Sequence, residues 1–251
     1  MGGKIFEVYS TTEVISLKKK YPDIIFFGIG FETTAPMTAY LLKNNVCVYS
    51  VHKLIPPAMK LLINGDIAID GFINPGHVST IIGVKAYRDI KIPQVITGFT
   101  PERMLRGISL LLELIKKGKK TVINGYPEAV TEEGNKKAQK LLNEAFYVSE
   151  SQWRGLGYIP ESGLEVRDPN LNAKILYENI IKNIPEPSKT GCRCGDVLKG
   201  LIEPVDCPLY GVCCKPESPM GACMVSEEGS CAIYYRYGEI NKNRGDSSVS
   251  C

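Results

Sequence analysis

The sequence predicts an α/β fold: mostly parallel sheets with helices on both faces, in Rossmann-like layers, and a separate Cys-rich module at the C-terminal end. Three observations carry this expectation. Short continuous apolar runs alternate with amphipathic segments through the first half of the chain, the pattern of parallel strands covered on both sides. Turn and capping residues mark most of the changeovers. Eight of the nine cysteines lie from Cys192 onward, where periodic segments give way to Pro and Gly.

In chain order, Glu13 to Tyr21 reads as a helix that Pro22 ends, and DIIFFGIG as a buried strand. TTAPMTAYLLKNN, from Thr33, is the next helix, followed by the strand VCVYSVHK and the helix PPAMKLLING. The strand AIDGFINPG, the helix HVSTIIGVKAYRD and the strand PQVITGF follow. PERMLRGISLLLELIKKG is a long helix and TVINGY a closing strand. TEEGNKKAQKLLNEAF and LNAKILYENIIKNI read as two more helices, with the aromatic, Gly-rich WRGLGYIPESGLEV between them. PEPSKTG reads as a linker, so the expected division is an α/β region over 1–185 and a Cys-rich module over 186–251.

Composition narrows the function classes. The longest apolar run, Ile24 to Phe31, is far shorter than the ~20 residues a membrane helix needs, and the N-terminus has no apolar signal core. The expected location is the cytoplasm, with no membrane association. With 30 basic and 27 acidic residues the charge is nearly balanced, and the Lys runs at 18–20 and 116–120 fall at helix ends, where cations offset the helix dipole. No nucleic-acid partner is expected.

In a reducing compartment, clustered cysteines point to metal ligation or redox chemistry rather than disulfides. Cys207, Cys214, Cys223 and Cys231 form C-x6-C-x8-C-x7-C. Structural zinc modules usually present close C-x2-4-C pairs. Widely spaced thiolates on Pro/Gly-rich loops slightly favour an iron–sulfur cluster, and Cys213 beside Cys214 leaves the second ligand open. Cys192 and Cys194 form a C-x-C, read as a redox pair, further ligands or buried thiols. Cys47 reads as a small buried hydrophobe and Cys251 as incidental.

GFETTAP, GFINPGH and TGFTPE each place Gly-Phe before polar residues and a Pro at expected strand-to-helix junctions. Ligands of open α/β sheets bind outside the carboxyl ends of strands, so three such junctions suggest one crevice. Glu32 stands just beyond an apolar strand, His52 at a strand end and His77 at a helix start. No catalytic triad order, nucleophile elbow or phosphate loop is present, so the catalytic residues are left unassigned.

FFGIGFETTAP, HKLIPPAM, GFINPGHVSTIIG, ITGFTPE, WRGLGYIPESGL, CRCGDVLKG and EPVDCPLYGVCCKPESPMGACMVSEEGSCAIYYRY together resemble the HypD family of hydrogenase maturation proteins. The resemblance implies a scaffold on which, with the small partner HypC, an iron atom receives carbon monoxide and cyanide. HypE supplies the cyanide, and the Fe(CN)2(CO) unit passes toward the large subunit of a [NiFe] hydrogenase. It also implies a [4Fe–4S] cluster, whose ligands match Cys207, Cys214, Cys223 and Cys231, and a cleft matching Glu32, Thr33, Thr34, His52, Asn74 and His77.

Family members also open with a region carrying CGGHT and GPGCPVC, and neither string occurs here. The chain is therefore expected to keep the cluster and part of the cleft and to lack that N-terminal region. An α/β fold with a C-terminal Cys-rich iron–sulfur module, acting as a redox scaffold for metallocentre assembly rather than a free-standing turnover enzyme, is the leading expectation. The alternative is a zinc-stabilised protein-binding module with no redox role. A third reading, an independent small-molecule enzyme, lacks a complete catalytic constellation.

Overall fold

A computed structural model describes residues 3–64, 69–185 and 191–238. The described residues of Met1–Met59, Asp70–Ser151 and Pro160–Ile184 form one compact unit, and those of Lys60–Ile69, Gln152–Ile159 and Pro185–Cys251 a second.

The first unit begins with α1 (Thr11–Lys20), β1 (Ile25–Gly30), α2 (Ala35–Lys43), β2 (Cys47–His52) and α3 (Ile55–Ile63), whose last residues belong to the second unit. β1 and β2 pair in parallel, with Ile25 opposite Cys47 and Gly30 opposite His52. Ser10 caps α1, its hydroxyl accepting from the Glu13 N–H. Ala35 and Ala39 sit one turn apart on α2 and are fully buried against Val48, Phe146, Leu164 and Val166. Their small side chains let the helix lie close on the sheet, and full burial of a residue such as Phe146 is worth about 1.5–3 kcal/mol. Val14 of α1 packs on Leu41 of α2 and on Val46, so both helices cover the same face of β1 and β2.

A second parallel sheet follows from β3 (Phe72–Pro75), α4 (Gly76–Ile82), β4 (Gln94–Thr97), α5 (Pro101–Lys116) and β5 (Val122–Asn124). Its order is β3-β4-β5, and every residue of the central strand β4 is buried, Val95 and Ile96 as apolar side chains and Gln94 and Thr97 with their polar groups hydrogen-bonded. Pro101 in the first turn of α5 follows Thr100, whose hydroxyl accepts from the Arg103 N–H. After α6 (Lys136–Ala145), β6 (Phe146–Trp153) and β7 (Gly157–Val166) form a two-stranded sheet, followed by the short α7 (Ala173–Leu176) and α8 (Glu178–Ile181).

The structure corrects several sequence expectations. The helix expected from His77 to Asp89 stops at Gly83, with φ +80, and a 3-10 turn follows over Val84–Tyr87. A Cβ at Gly83 would collide with the backbone of Glu132 and Gly134. The helix expected over 171–184 is broken at Tyr177 into α7 and α8. The segment between the last two expected helices is the β6–β7 hairpin, turned at Gly155 and Gly157, both with positive φ. Among the described residues no helix covers the second face of the first sheet, where Ile25, Phe27 and Ile29 are exposed.

In the second unit α9 (Cys194–Leu198), a 3-10 turn over Pro204–Asp206, α10 (Ala222–Val225) and α11 (Ser230–Tyr237) surround a core of cysteines and Met224. Residues 186–190 of the expected linker and Cys251 lie outside the described residues, as do the ends of two expected elements, Gly65 and Ala68. Among the described residues no helix is long and apolar enough to cross a membrane.

Candidate functional site

Two groups of side chains in the first unit hold the residues singled out from sequence. The first lies at the carboxyl ends of β1 and β2. Glu32, in the turn between β1 and α2, is 2% exposed. Its Oε1 accepts from the Ile55 N–H at 3.0 Å, while Oε2 is buried with no hydrogen-bond partner. Burial pushes the carboxyl up to about 7, against the lowering effect of its backbone hydrogen bonds. His52 ends β2 and is 1% exposed. Its Nε2 shares a hydrogen bond of 2.9 Å with the Thr38 hydroxyl, and its Nδ1 is buried without a partner. Burial brings this imidazole down to about 4, so it is neutral at physiological pH. The ring fits because residue 28 is Gly: a Cβ there would stand 2.9 Å from His52 Nε2. Thr34 donates to the Ile29 and Phe31 carbonyls and is exposed, while Thr33 beside it is half-buried.

The second group lies where β3, β4 and β5 end. His77, in the first turn of α4, is exposed and its ring lies 4.7 Å from that of Phe99, just past β4. The Arg103 guanidinium sits 4.5 Å from the Tyr126 ring and pairs with Glu128. Asn74 is inside this sheet rather than at its mouth: it is buried, and its Nδ2 donates to Gln94 Oε1 at 3.0 Å. Gln94 in turn donates to the Tyr87 and Ile90 carbonyls.

Of the three Gly-Phe motifs, the first and third follow a strand, while Gly71-Phe72 opens one. Composition alone did not separate these positions. Sequence reasoning also missed Thr38, the hydrogen-bond partner of His52; its only signal is a polar residue on the apolar face of α2.

The cysteine module is built from both ends of its sequence. Cys194, Cys214, Cys223 and Cys231 are buried in one core, with Cys192 packed against it. Cys213, the other member of the Cys-Cys pair, is buried but is not part of that core. The Cys223 thiol donates to the Cys194 carbonyl oxygen and lies close enough to Cys231 and Cys194 to feel both thiols, as Cys192 does that of Cys194. Cys207 is buried and close enough to Cys192 to repel its charge. The Met220 N–H donates to Cys214 Sγ at 3.4 Å. Gly221 and Gly155 complete the packing, since a Cβ on either would press on Cys192 or Cys194 sulfur.

Burial pushes the Cys192 thiol up to about 12. Hydrogen bonding to Cys231 and burial raise Cys223, while that same bond lowers Cys231. Adjacent buried thiols of this kind resist ionising together, and positively charged metal is what converts such a set to thiolates. Among the described residues no three His, Cys, Asp or Glu side chains are arranged to hold a single metal ion. A four-iron cluster takes four cysteine thiolates and is tuned by hydrogen bonds to its sulfurs. The six buried or half-buried thiols and the Met220 N–H fit such a group.

Comparison with known proteins adds an independent line. The HypD family model, described as "Hydrogenase formation hypA family", matches residues 1–238. The hydrogenase maturation factor HypD2 of Bradyrhizobium diazoefficiens is 36% identical over 266 residues, covering 97% of this chain and 70% of the relative. The hydrogenase maturation factor HypD of Cupriavidus necator is 36% identical over 260 residues, covering 95% of this chain and 69% of the relative.

Proposed function

Because the chain belongs to the HypD family, we propose that it serves hydrogenase maturation as an iron–sulfur redox scaffold. In this reading it assembles an Fe(CN)2(CO) unit with a HypC-type small chaperone. A HypE-type protein supplies the cyanide, and the unit passes toward the hydrogenase large subunit in the cytoplasm. The observation that carries the proposal is the core of thiols drawn together from Cys192 to Cys231.

Cys207, Cys214, Cys223 and Cys231 would hold a [4Fe–4S] cluster, which supplies one-electron transfer when bound. In this reading Cys192 and Cys194, packed in the same core, serve as a redox pair beside it. In the first unit, Glu32 and His52 present buried polar atoms, Oε2 and Nδ1, that no protein group satisfies. Leaving such atoms unpaired is costly, which supports reading Glu32 and His52 as groups that meet a small ligand or a proton. His77 offers an exposed imidazole and Thr33 and Thr34 add hydroxyls, while Asn74 braces β3 through Gln94.

The test is anaerobic co-production with HypC-type and HypE-type proteins, followed by infrared spectroscopy of the isolated complex. Cyanide and carbonyl stretches on protein-bound iron are expected. A complex that forms without them, or no complex, overturns the scaffold reading.

A further inference from the structure

The motif WRGLGYIPESGL has no part in the chemistry described so far, yet it opens at the cysteine core. Trp153 ends β6 and Gly157 opens β7, so Arg154, Gly155 and Leu156 form the turn of the hairpin. The Leu156 N–H closes it by donating to the Trp153 carbonyl at 3.0 Å. Gln152–Ile159 belong to the same compact unit as Cys192 and the cysteines that follow it.

Two contacts fasten this turn. A Cβ on Gly155 would stand 2.8 Å from Cys194 Sγ, and one on Gly195 would run into the Gly155 carbonyl oxygen. Backbone therefore meets backbone at the first turn of α9, and the turn lies over a thiol that is itself buried. The second contact is made by Arg154, whose side chain is at the surface. Its guanidinium Nη2 donates to the Met220 carbonyl at 2.9 Å, across 66 positions of sequence.

Met220 passes this contact to the core. Its own N–H donates to Cys214 Sγ at 3.4 Å, and a Cβ on the next residue, Gly221, would collide with Cys192 Sγ. A residue gripped at its carbonyl by a charged donor has little freedom to swing its N–H off the sulfur. Hydrogen bonds to cluster sulfurs and nearby positive charge both favour the reduced, more negative state of an iron–sulfur cluster.

We propose that the Trp153–Gly157 turn is a strap over the cysteine core, anchored by Arg154. As a positioning residue, Arg154 holds the Met220 N–H on Cys214 and keeps Cys194 closed from solvent. The tuning of Cys214 rests on the iron–sulfur reading given above, and the closure over Cys194 does not.

The test compares the parent chain with Arg154→Ala and Arg154→Lys, each purified without oxygen. Alkylation under native conditions is mapped by mass spectrometry, with Cys47 as the internal reference. Cys194 should react at least about fivefold faster in Arg154→Ala through local opening of the strap, with Cys47 and the melting temperature unchanged. On the same preparations, the ratio of reduced to oxidised cluster at one fixed potential should fall at least about threefold in Arg154→Ala, with iron content retained. Arg154→Lys, which keeps the charge and a donor, should restore most of both effects. An unchanged Cys194 rate overturns the closure, and an unchanged ratio overturns the tuning. Loss of iron together with a lowered melting temperature assigns Arg154 a merely structural role and overturns both. A parent chain without iron and sulfide overturns the iron–sulfur reading and the tuning with it, while the Cys194 rate still decides the closure.

Discussion

The thiol of Cys223 donates to the carbonyl oxygen of Cys194 at 3.8 Å, tying the first residue of α9 to α10 across 29 positions of sequence. The C-x-C motif is thereby part of the same buried core as the later cysteines. Six thiols are available where a cluster needs four, and the proposed division is testable residue by residue. Cys192→Ser and Cys194→Ser should retain bound iron while losing the pair's reaction with a thiol-specific reagent. Loss of iron in either variant, with retention in Cys223→Ser, would move that residue into the ligand set and Cys223 out of it.

Glu32 and His52 should shape stability against pH in opposite directions. The native Glu32 carboxyl is raised by burial from an ordinary 4.5 to about 7, so its stabilising contribution is full below about 4.5 and is lost as pH rises to about 7. The native His52 imidazole is lowered from 6.5 to about 4, so its contribution is full above about 6.5 and is lost as pH falls to about 4. Each change amounts to about 3 kcal/mol, and between pH 4.5 and 6.5 the two oppose one another. Urea unfolding from pH 4 to 8 should therefore show a flat middle in the native chain. Glu32→Gln keeps an acceptor for the Ile55 N–H and should leave only the His52 limb, stability rising from pH 4 to 6.5. An unaltered profile in that variant contradicts this account of the buried carboxyl.

His77→Ala removes an exposed ring whose visible contact is with Phe99. Stability should change by less than about 1 kcal/mol, since an aromatic pair is worth about 0.5–1.5 kcal/mol even before allowance for exposure. Hydrogenase maturation in a complementation assay should nevertheless fall, with cluster content unchanged. Equal loss of cluster and maturation would assign His77 a structural role.

The elements that were legible in sequence are those with one dominant signal. The apolar run of β1 and the Pro101 start of α5 each say one thing. The β6–β7 hairpin was not legible because Phe146 closes an amphipathic pattern and opens an alternating one, and two turn glycines resemble a loop. Gly83 was a visible stop inside an apolar period, but its force comes from Glu132 and Gly134, some fifty residues away. At the site, Glu32 and His52 were legible as polar residues at strand ends. Asn74 was singled out only through the family resemblance, and the tertiary fold turns its amide inward onto Gln94.

Gly28 illustrates a requirement that only packing reveals. Gly28→Ala places a methyl 2.9 Å from His52 Nε2, which must displace the ring or break its bond to Thr38. A loss of about 1–3 kcal/mol is expected from such overpacking, read as a lower urea midpoint. An unchanged midpoint would show that the ring can move freely, and the fixed imidazole described above would be wrong.

The most direct measurement for the central claim is iron, acid-labile sulfide and zinc per chain after purification without oxygen. About four irons and four sulfides are expected, with broad visible absorption, and Cys207→Ala should lose both. Stoichiometric zinc without sulfide would contradict the iron–sulfur scaffold and make the cysteine core a zinc-stabilised binding module.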